Sequence, residues 1–192
     1  MNNETITYYN IPILFVFFNR KEISLQAFEH IRKVHPSKLY LAQDGPRKER
    51  SEQDQRIIAD VRSCILNLID WECDVQTLFR TENLGCAQGV KTAIDWLFEN
   101  EEYGIILEDD CIPSDSFFPF IQDLLKLYCH DQRVGMIAGS NLVKGFKPQF
   151  SYHFSRFKSC WGWATWRRAW KNMDMNMSWR ESHLEDVFNN SG

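Results

Sequence analysis

The sequence lacks a long apolar run, an excess of charge of either sign and any paired-cysteine motif. Its longest uninterrupted apolar stretch, Ile11 to Phe18, is far short of the roughly 20 residues that span a bilayer. No basic segment precedes it, so it does not read as a secretion signal. The net charge is −4, which gives no electrostatic footprint for nucleic acid or an anionic membrane and disfavours a groove-tracking role. The six cysteines, Cys64, Cys73, Cys86, Cys111, Cys129 and Cys160, form no C-x-x-C pair and no zinc-finger spacing. They read as buried free thiols in a reducing cytoplasm. The five histidines show no H-E-x-x-H spacing, and no G-x-S-x-G turn, G-x-G-x-x-G loop or Walker lysine-serine pair occurs. Zinc hydrolase, serine hydrolase, dinucleotide-binding and P-loop readings lose their main support. There is no internal repeat or low-complexity tract.

What is present is one domain's worth of core: 192 residues, 44% hydrophobic, enough for a continuous apolar interior. Ile13–Phe18 is a continuous apolar run, as in a strand buried on both faces. Leu39–Ala42, Val75–Phe79, Gly104–Leu107 and Val134–Ala138 read as further strands. Between them, helical periodicity runs through Ala27, Phe28 and Ile31, through Ile57 to Leu68, from about Cys86 to Phe98, and from Phe117 to Tyr128. The charge run Arg47–Gln55 reads as a solvated loop and first helical turn. Alternation through the first ~140 residues predicts a parallel, helix-covered α/β sheet with right-handed crossovers. Beyond Gly139 the pattern turns aromatic and polar, with a strand expected near Tyr152–Phe154.

Ligands of open parallel sheets sit beyond the carboxyl ends of the strands. Four predicted strands end in suitable residues: Phe18-Asn19-Arg20, Asp44-Gly45, Arg80 with Asn83-Leu84-Gly85, and Glu108-Asp109-Asp110. The carboxylate triplet is costly without a cation. A divalent ion would offset that cost and bridge to phosphate oxygens, whereas an acidic helix start explains the same residues through the helix dipole. Asn83 to Gly85 suits either an anion at a helix N-terminus or an ordinary strand-to-helix turn. Of the seven tryptophans, four crowd into Trp161, Trp163, Trp166 and Trp170. Membrane interface, core and ligand wall are all open for this cluster. Trp166 and Trp170 fall at helical spacing and suit packing. Gly162 between two indoles suggests close backbone approach and makes Trp161 and Trp163 the ligand candidates, since indole faces cover sugar rings.

Taken in order, Phe18-Asn-Arg20, Ala42-Gln-Asp-Gly45, Asn83-Leu-Gly-Cys-Ala87, Ile106-Leu-Glu-Asp-Asp110 and Gly162-Trp-Ala-Thr-Trp166 resemble the nucleotide-sugar-dependent glycosyltransferases of the GT-A fold. Within these, the resemblance is to N-acetylglucosaminyltransferase I and its bacterial, glycosyltransferase family 2-like relatives, some labelled haemolysin-like. The resemblance implies a Rossmann-like, mostly parallel sheet with a small aromatic-rich C-terminal β/α part. Residues 1–140 would be the nucleotide-binding half and 141–192 the start of an acceptor-side half. It implies an inverting transfer from a nucleotide-diphosphate sugar, UDP-sugar favoured, to a glycan or other hydroxyl acceptor, near the inner membrane face. Phe18, Asn19, Arg20, Asp44, Asn83, Gly85, Glu108 and Asp109 would bind the donor. Asp110 would ligate Mn²⁺ or Mg²⁺ in a DXD-like motif, and Trp161, Gly162 and Trp163 would line the sugar and acceptor side. In the family, the catalytic carboxylate lies in a W-D-x-x-W-like stretch after the Gly-Trp segment. No such stretch occurs here, and Asp174, Glu181, Glu185 and Asp186 do not match it. A fragment lacking its base is therefore the expectation. The rival readings are a sugar nucleotidyltransferase and a non-catalytic glycan-binding or toxin-like module.

Overall fold

A computed structural model describes residues 9–142, 145 and 149–174. Its sheet has six strands in the order β3-β2-β1-β4-β6-β5. In chain order these are β1 (Ile13–Phe17), β2 (Lys38–Gln43), β3 (Asp74–Phe79), β4 (Tyr103–Glu108), β5 (Ile137–Ala138) and β6 (Trp163–Trp166). The helices are α1 (Lys21–Val34), α2 (Ser51–Asn67), α3 (Gly85–Asn100), α4 (Phe117–Leu127) and the single turn α5 (Arg167–Trp170). β1 to β4 are mutually parallel, while β6 runs antiparallel to both β4 and β5. The predicted α/β class and its four parallel strands are what the structure contains.

Strand side chains alternate between faces, so each apolar run serves two cores. Ile13, Phe15, Leu39, Leu41, Ile105 and Leu107 pack with α1, α2 and α4 on one face. Leu14, Tyr40, Ala42 and Ile106 pack with Ala93, Ile94 and Leu97 of α3 on the other. Burying each such aliphatic or aromatic side chain is worth about 1.5–3 kcal/mol. No residue of the edge strand β3 is buried, and half of them are polar, which is why its pattern is the weakest of the four.

The face assignment follows from chain direction. The connections from β1 to β2 and from β2 to β3 step one way across the sheet, and that from β3 to β4 returns past β1. Right-handed crossovers therefore place α1 and α2 on one side and α3 on the other. The reversal leaves a crevice at the carboxyl ends of β1 and β4.

Three expectations for the later chain need correction. No strand lies at Tyr152–Phe154. Tyr152 is instead held by a hydroxyl–hydroxyl bond of 2.6 Å to Tyr128, and Phe154 sets its ring edge-on to the same tyrosine. The strand expected from Val134 shortens to Ile137–Ala138, because Val134 N–H closes a turn onto the Asp131 carbonyl. Trp166 and Trp170 do not share a helix: the first ends β6 and the second ends α5.

Candidate functional site

One side chain bridges the carboxyl ends of β1 and β4. Arg20 follows β1 and opens α1, where its carbonyl accepts from Ser24 N–H at 2.9 Å. Its guanidinium reaches the loop after β4, pairing with Asp109 and, at 3.2 Å, with Asp110. Asp109 is only 4% exposed. Its Oδ2 also accepts from Arg20 Nε and from Ser24 Oγ, both at 3.4 Å. The cation that the carboxylate triplet demands is thus supplied in part by the protein's own arginine. The pairing with Asp109 and Asp110 raises the Arg20 pKa further. Asp109 is turned inward and positions Arg20, which leaves its carboxylate no open side for a ribose or sugar. Asp110, whose side chain is 49% exposed, faces out. Glu108 is half-buried, and desolvation, followed by the Asp110 and Asp109 charges, lifts its pKa above the usual carboxylate range.

A second network braces Phe18 and Asn19 from behind. Asp54, 1% exposed, accepts from Arg47 Nε at 2.8 Å, Arg47 Nη2 at 2.9 Å, Arg47 N–H at 3.1 Å and Asn19 Nδ2 at 3.4 Å. Arg47 also lies over the Phe18 ring, 5.4 Å from its centre. The run Arg47–Gln55 is therefore not wholly solvated. One of its carboxylates is the buried anchor of the loop, and alternating charges in sequence give no hint of which. The Arg47 hydrogen bonds hold the Asp54 pKa down to about 2. A carboxylate with a lowered folded-state pKa contributes stability that is full above its ordinary value near 4 and is lost as pH falls toward 2. We expect the melting temperature of the wild type to fall more steeply between those pH values than that of Asp54→Asn, which starts lower. Thermal denaturation across an acid series checks this.

Buried Gln43 joins these loops. Its amide donates to the Phe18 carbonyl at 2.9 Å and the Ile58 carbonyl at 3.1 Å, and its oxygen accepts from Arg62 at 2.9 Å. Sequence reasoning missed both Gln43 and Asp54 as site supports. A polar residue ending an otherwise apolar strand was the available signal for Gln43.

Asp44 does not stand free for a base or ribose. It caps α3, accepting from Leu84 N–H at 2.9 Å and Gly85 N–H at 3.1 Å. The anion expected at that helix start is the protein's own carboxylate. Asn83 ties the turn together by donating to the Gly45 carbonyl at 2.9 Å and accepting from Gly85 N–H at 3.1 Å. Gly85 has φ +76°, a conformation favouring glycine. A Cβ on Gly45 would lie 2.5 Å from the Glu82 nitrogen, so the loops after β2 and β3 touch there through backbone.

The tryptophans divide by strand parity. Trp163 is 7% exposed and packs in the α3-side core with Leu14 and Ile106, its ring 6.2 Å from that of Trp170. Burial in the sheet corrects the expectation that Trp163 lines a sugar site. Trp166 is buried on the other face, and Arg168 lies 4.4 Å from its ring centre. Trp161, 65% exposed, is the member of the pair left available to a ligand. Gly162 holds φ +68° and accepts from Gly139 N–H at 2.8 Å. Its Cβ position is 3.5 Å from Leu107, which brings the Trp161 backbone alongside the end of β4.

Among the described residues, no group of three or more His, Cys, Asp or Glu side chains is placed to hold a metal. Among the described residues, no cage made wholly of protein is preformed. Asp110 alone presents an outward carboxylate, and small hard cations are commonly held by one or two carboxylates together with substrate phosphates and water.

Fold and site together define a mixed α/β protein with a charged crevice at a strand-order reversal. No protein-family model matches the chain, and no curated protein matches it. Among solved structures, the chain is similar to 4-diphosphocytidyl-2C-methyl-D-erythritol synthase from Anaerococcus prevotii, with 10% identity over 93% of this chain and 84% of that one and a TM-score of 0.40. All six cysteines are free, but only Cys111 is buried while Cys86 and Cys160 are exposed, which corrects the expectation of buried thiols. No helix among the described residues is long and apolar enough to cross a membrane.

Proposed function

We propose that the chain is a nucleotide-dependent transferase domain whose donor is a nucleotide-diphosphate sugar, with the donor seated in the crevice between β1 and β4. The observation that carries this is the pairing of Arg20 with Asp109 and Asp110 across the strand-order reversal. It leaves one half-exposed carboxylate and one half-exposed guanidinium side by side, a combination suited to a diphosphate with its cation. The ordered motifs that resemble GT-A glycosyltransferases support the same reading.

In this proposal Asp110 would be the residue that holds Mn²⁺ or Mg²⁺. When bound, the cation neutralises the leaving diphosphate. Arg20 adds a fixed positive charge on the phosphate side, oriented by buried Asp109. Glu108 accepts a ribose or sugar hydroxyl. Phe18 and Asn19, held by Arg47 and Asp54, form the wall toward the base. Asp44, Asn83 and Gly85 act by fixing the neighbouring turn. Trp161 offers its indole face to the sugar or acceptor. Transfer makes a bond from the acceptor oxygen to the anomeric carbon, breaks the bond to the diphosphate, which leaves as the nucleoside diphosphate, and passes the acceptor hydroxyl's proton to a general base.

A sugar nucleotidyltransferase is the rival, and the loop after β1 separates the two. Only Phe18, Asn19 and Arg20 lie between β1 and α1, with no glycine to wrap a triphosphate, and Lys21 is engaged with Asp60 at 2.8 Å. The test is a parallel assay of UDP-, GDP- and TDP-sugars with Mn²⁺, and of nucleoside triphosphates with sugar phosphates. Release of nucleoside diphosphate from the first set, through transfer or slow donor hydrolysis, is expected. Pyrophosphate release from the second set alone would overturn the proposal in favour of its rival.

A further inference from the structure

The sheet ends in two unequal edges. At one, β5 has only two residues. At the other, β3 has six, Asp74–Phe79. Asp74 N–H donates to the Ser37 carbonyl at 2.9 Å, and Arg80 N–H donates to the Gln43 carbonyl at 3.0 Å. Both bonds run inward to β2. Backbone groups alternate in direction along a strand, so the N–H and C=O groups of Val75, Thr77 and Phe79 point outward. Among the described residues, the side-chain bonds of β3 stay local, as where Gln76 Nε2 donates to Asp74 Oδ1 at 2.7 Å, and none meets that outer row. An open row of this kind is a template for another strand. Proteins that avoid pairing there use proline, lysine, a bulge or a very short strand. β3 carries no proline or lysine, and its register with β2 runs unbroken from Asp74 to Phe79.

Geometry selects a register for a second copy of the same strand. In an antiparallel pair, outward residues of one strand face outward residues of the other. A two-fold axis uses all three of them only when Thr77 lies on it, with Val75 opposite Phe79 of the second copy. That register, fixed by backbone direction alone, also sets Asp74 opposite Arg80 of the second copy, twice over by symmetry. Asp74 and Arg80 share the α3 face by strand parity. Asp74 is exposed, and Lys38, its neighbour on β2, is engaged with Glu101 at 2.8 Å. Arg80 donates to the Thr92 hydroxyl at 2.7 Å, which steadies its guanidinium. Among the described residues Arg80 makes no ion pair. On the other face, Val75 and Phe79 are half-buried against the core of α1 and α2, so their cross-strand pairing would extend that core. Glu82 does not oppose the pairing. Its carbonyl accepts from Gly45 N–H at 3.2 Å, so the chain has turned back over the end of β2 before that residue.

We propose that β3 pairs antiparallel with β3 of a second copy about a two-fold axis at Thr77, joining two sheets edge to edge. Charge complementarity selects this occupant, because the register that uses every outward group also matches each Asp74 with an Arg80. An interface resting on one strand is small, so association is weak and concentration-dependent.

The experiment is sedimentation velocity of the full chain over a concentration series without nucleotide. The wild type is expected to pass from monomer to dimer as concentration rises. Thr77→Pro removes an outward N–H and leaves the inward ladder to β2, as proline on edge strands does. It should stay monomeric while keeping the wild-type circular dichroism. Asp74→Arg sets like charges opposite each other at both symmetric positions and should weaken the dimer about tenfold or more. Adding Arg80→Asp to Asp74→Arg exchanges the two charges and should restore it. A wild type that is monomeric throughout, a dimer unchanged by Thr77→Pro and Asp74→Arg, or no recovery in the charge-exchanged variant would each overturn the proposal. Antiparallel pairing points the two crevices in opposite directions, and association needs no nucleotide, so its failure is read separately from failure of the donor-site reading.

Discussion

Replacing Arg20 with alanine is expected to destabilise the protein by about 2–4 kcal/mol, because it leaves the Asp109 carboxylate buried without its cation. Removing one partner of a fully buried pair costs more. Arg20 is itself half-exposed, which sets the lower range here. For a chain of this size the corresponding fall in melting temperature is roughly 5–15 °C. Arg20→Lys should recover only part of the loss, since an ammonium cannot reproduce the fork that reaches Nε and Nη2 partners together. Asp109→Asn should cost less than Arg20→Ala, because it leaves no buried charge and a half-exposed guanidinium that still meets Asp110. Thermal denaturation of the three variants checks this. Wild-type stability in Arg20→Ala would show that the bridge does not hold the crevice.

Asp110→Asn is expected to give the opposite pattern one residue along. Its carboxylate is half-exposed and meets only Arg20 Nη2 at 3.2 Å and the Cys111 thiol at 4.0 Å. Folding should change by no more than about 0.5 kcal/mol, as for most surface substitutions. Metal-dependent turnover should fall on the order of a thousandfold, since a lost ligand forfeits several kcal/mol of charge neutralisation. Steady-state assays over a Mn²⁺ titration, beside a melting curve, separate the two effects. A large loss of stability with turnover retained would reverse the roles given to Asp109 and Asp110.

The contrast between these neighbours marks where the sequence stops being readable. The apolar runs Ile13–Phe17 and Ile105–Leu107 announce strands buried on both faces, and that alone brings Arg20 and the carboxylate triplet to one sheet edge. Which carboxylate turns inward depends on the backbone path after Glu108 and on Arg20 arriving from another strand, neither of which is a local property. Asp54 was hidden for a related reason: in a run of alternating charges, burial is decided by Arg47 and Asn19, seven and thirty-five residues away. The tryptophan cluster misled through its spacing. Trp166 and Trp170 fit a helical repeat, yet pairing of Trp163–Trp166 with β4 makes that segment a strand. Alternation then buries Trp163 and Trp166 on opposite faces, and Trp161, before the strand begins, stays at the surface.

The most direct measurement for the central claim is calorimetric titration of the full chain with UDP, GDP, CDP and TDP, each with Mn²⁺ and with chelator. Binding to the native state alone also raises the melting temperature by mass action, so a thermal-shift series gives a second readout. Saturable binding of a nucleoside diphosphate with Mn²⁺, lost in chelator and lost in Asp110→Asn, is the result predicted for a donor site at the β1 and β4 ends. Binding that is indifferent to chelator and to Asp110, or no binding of any of the four, would contradict it.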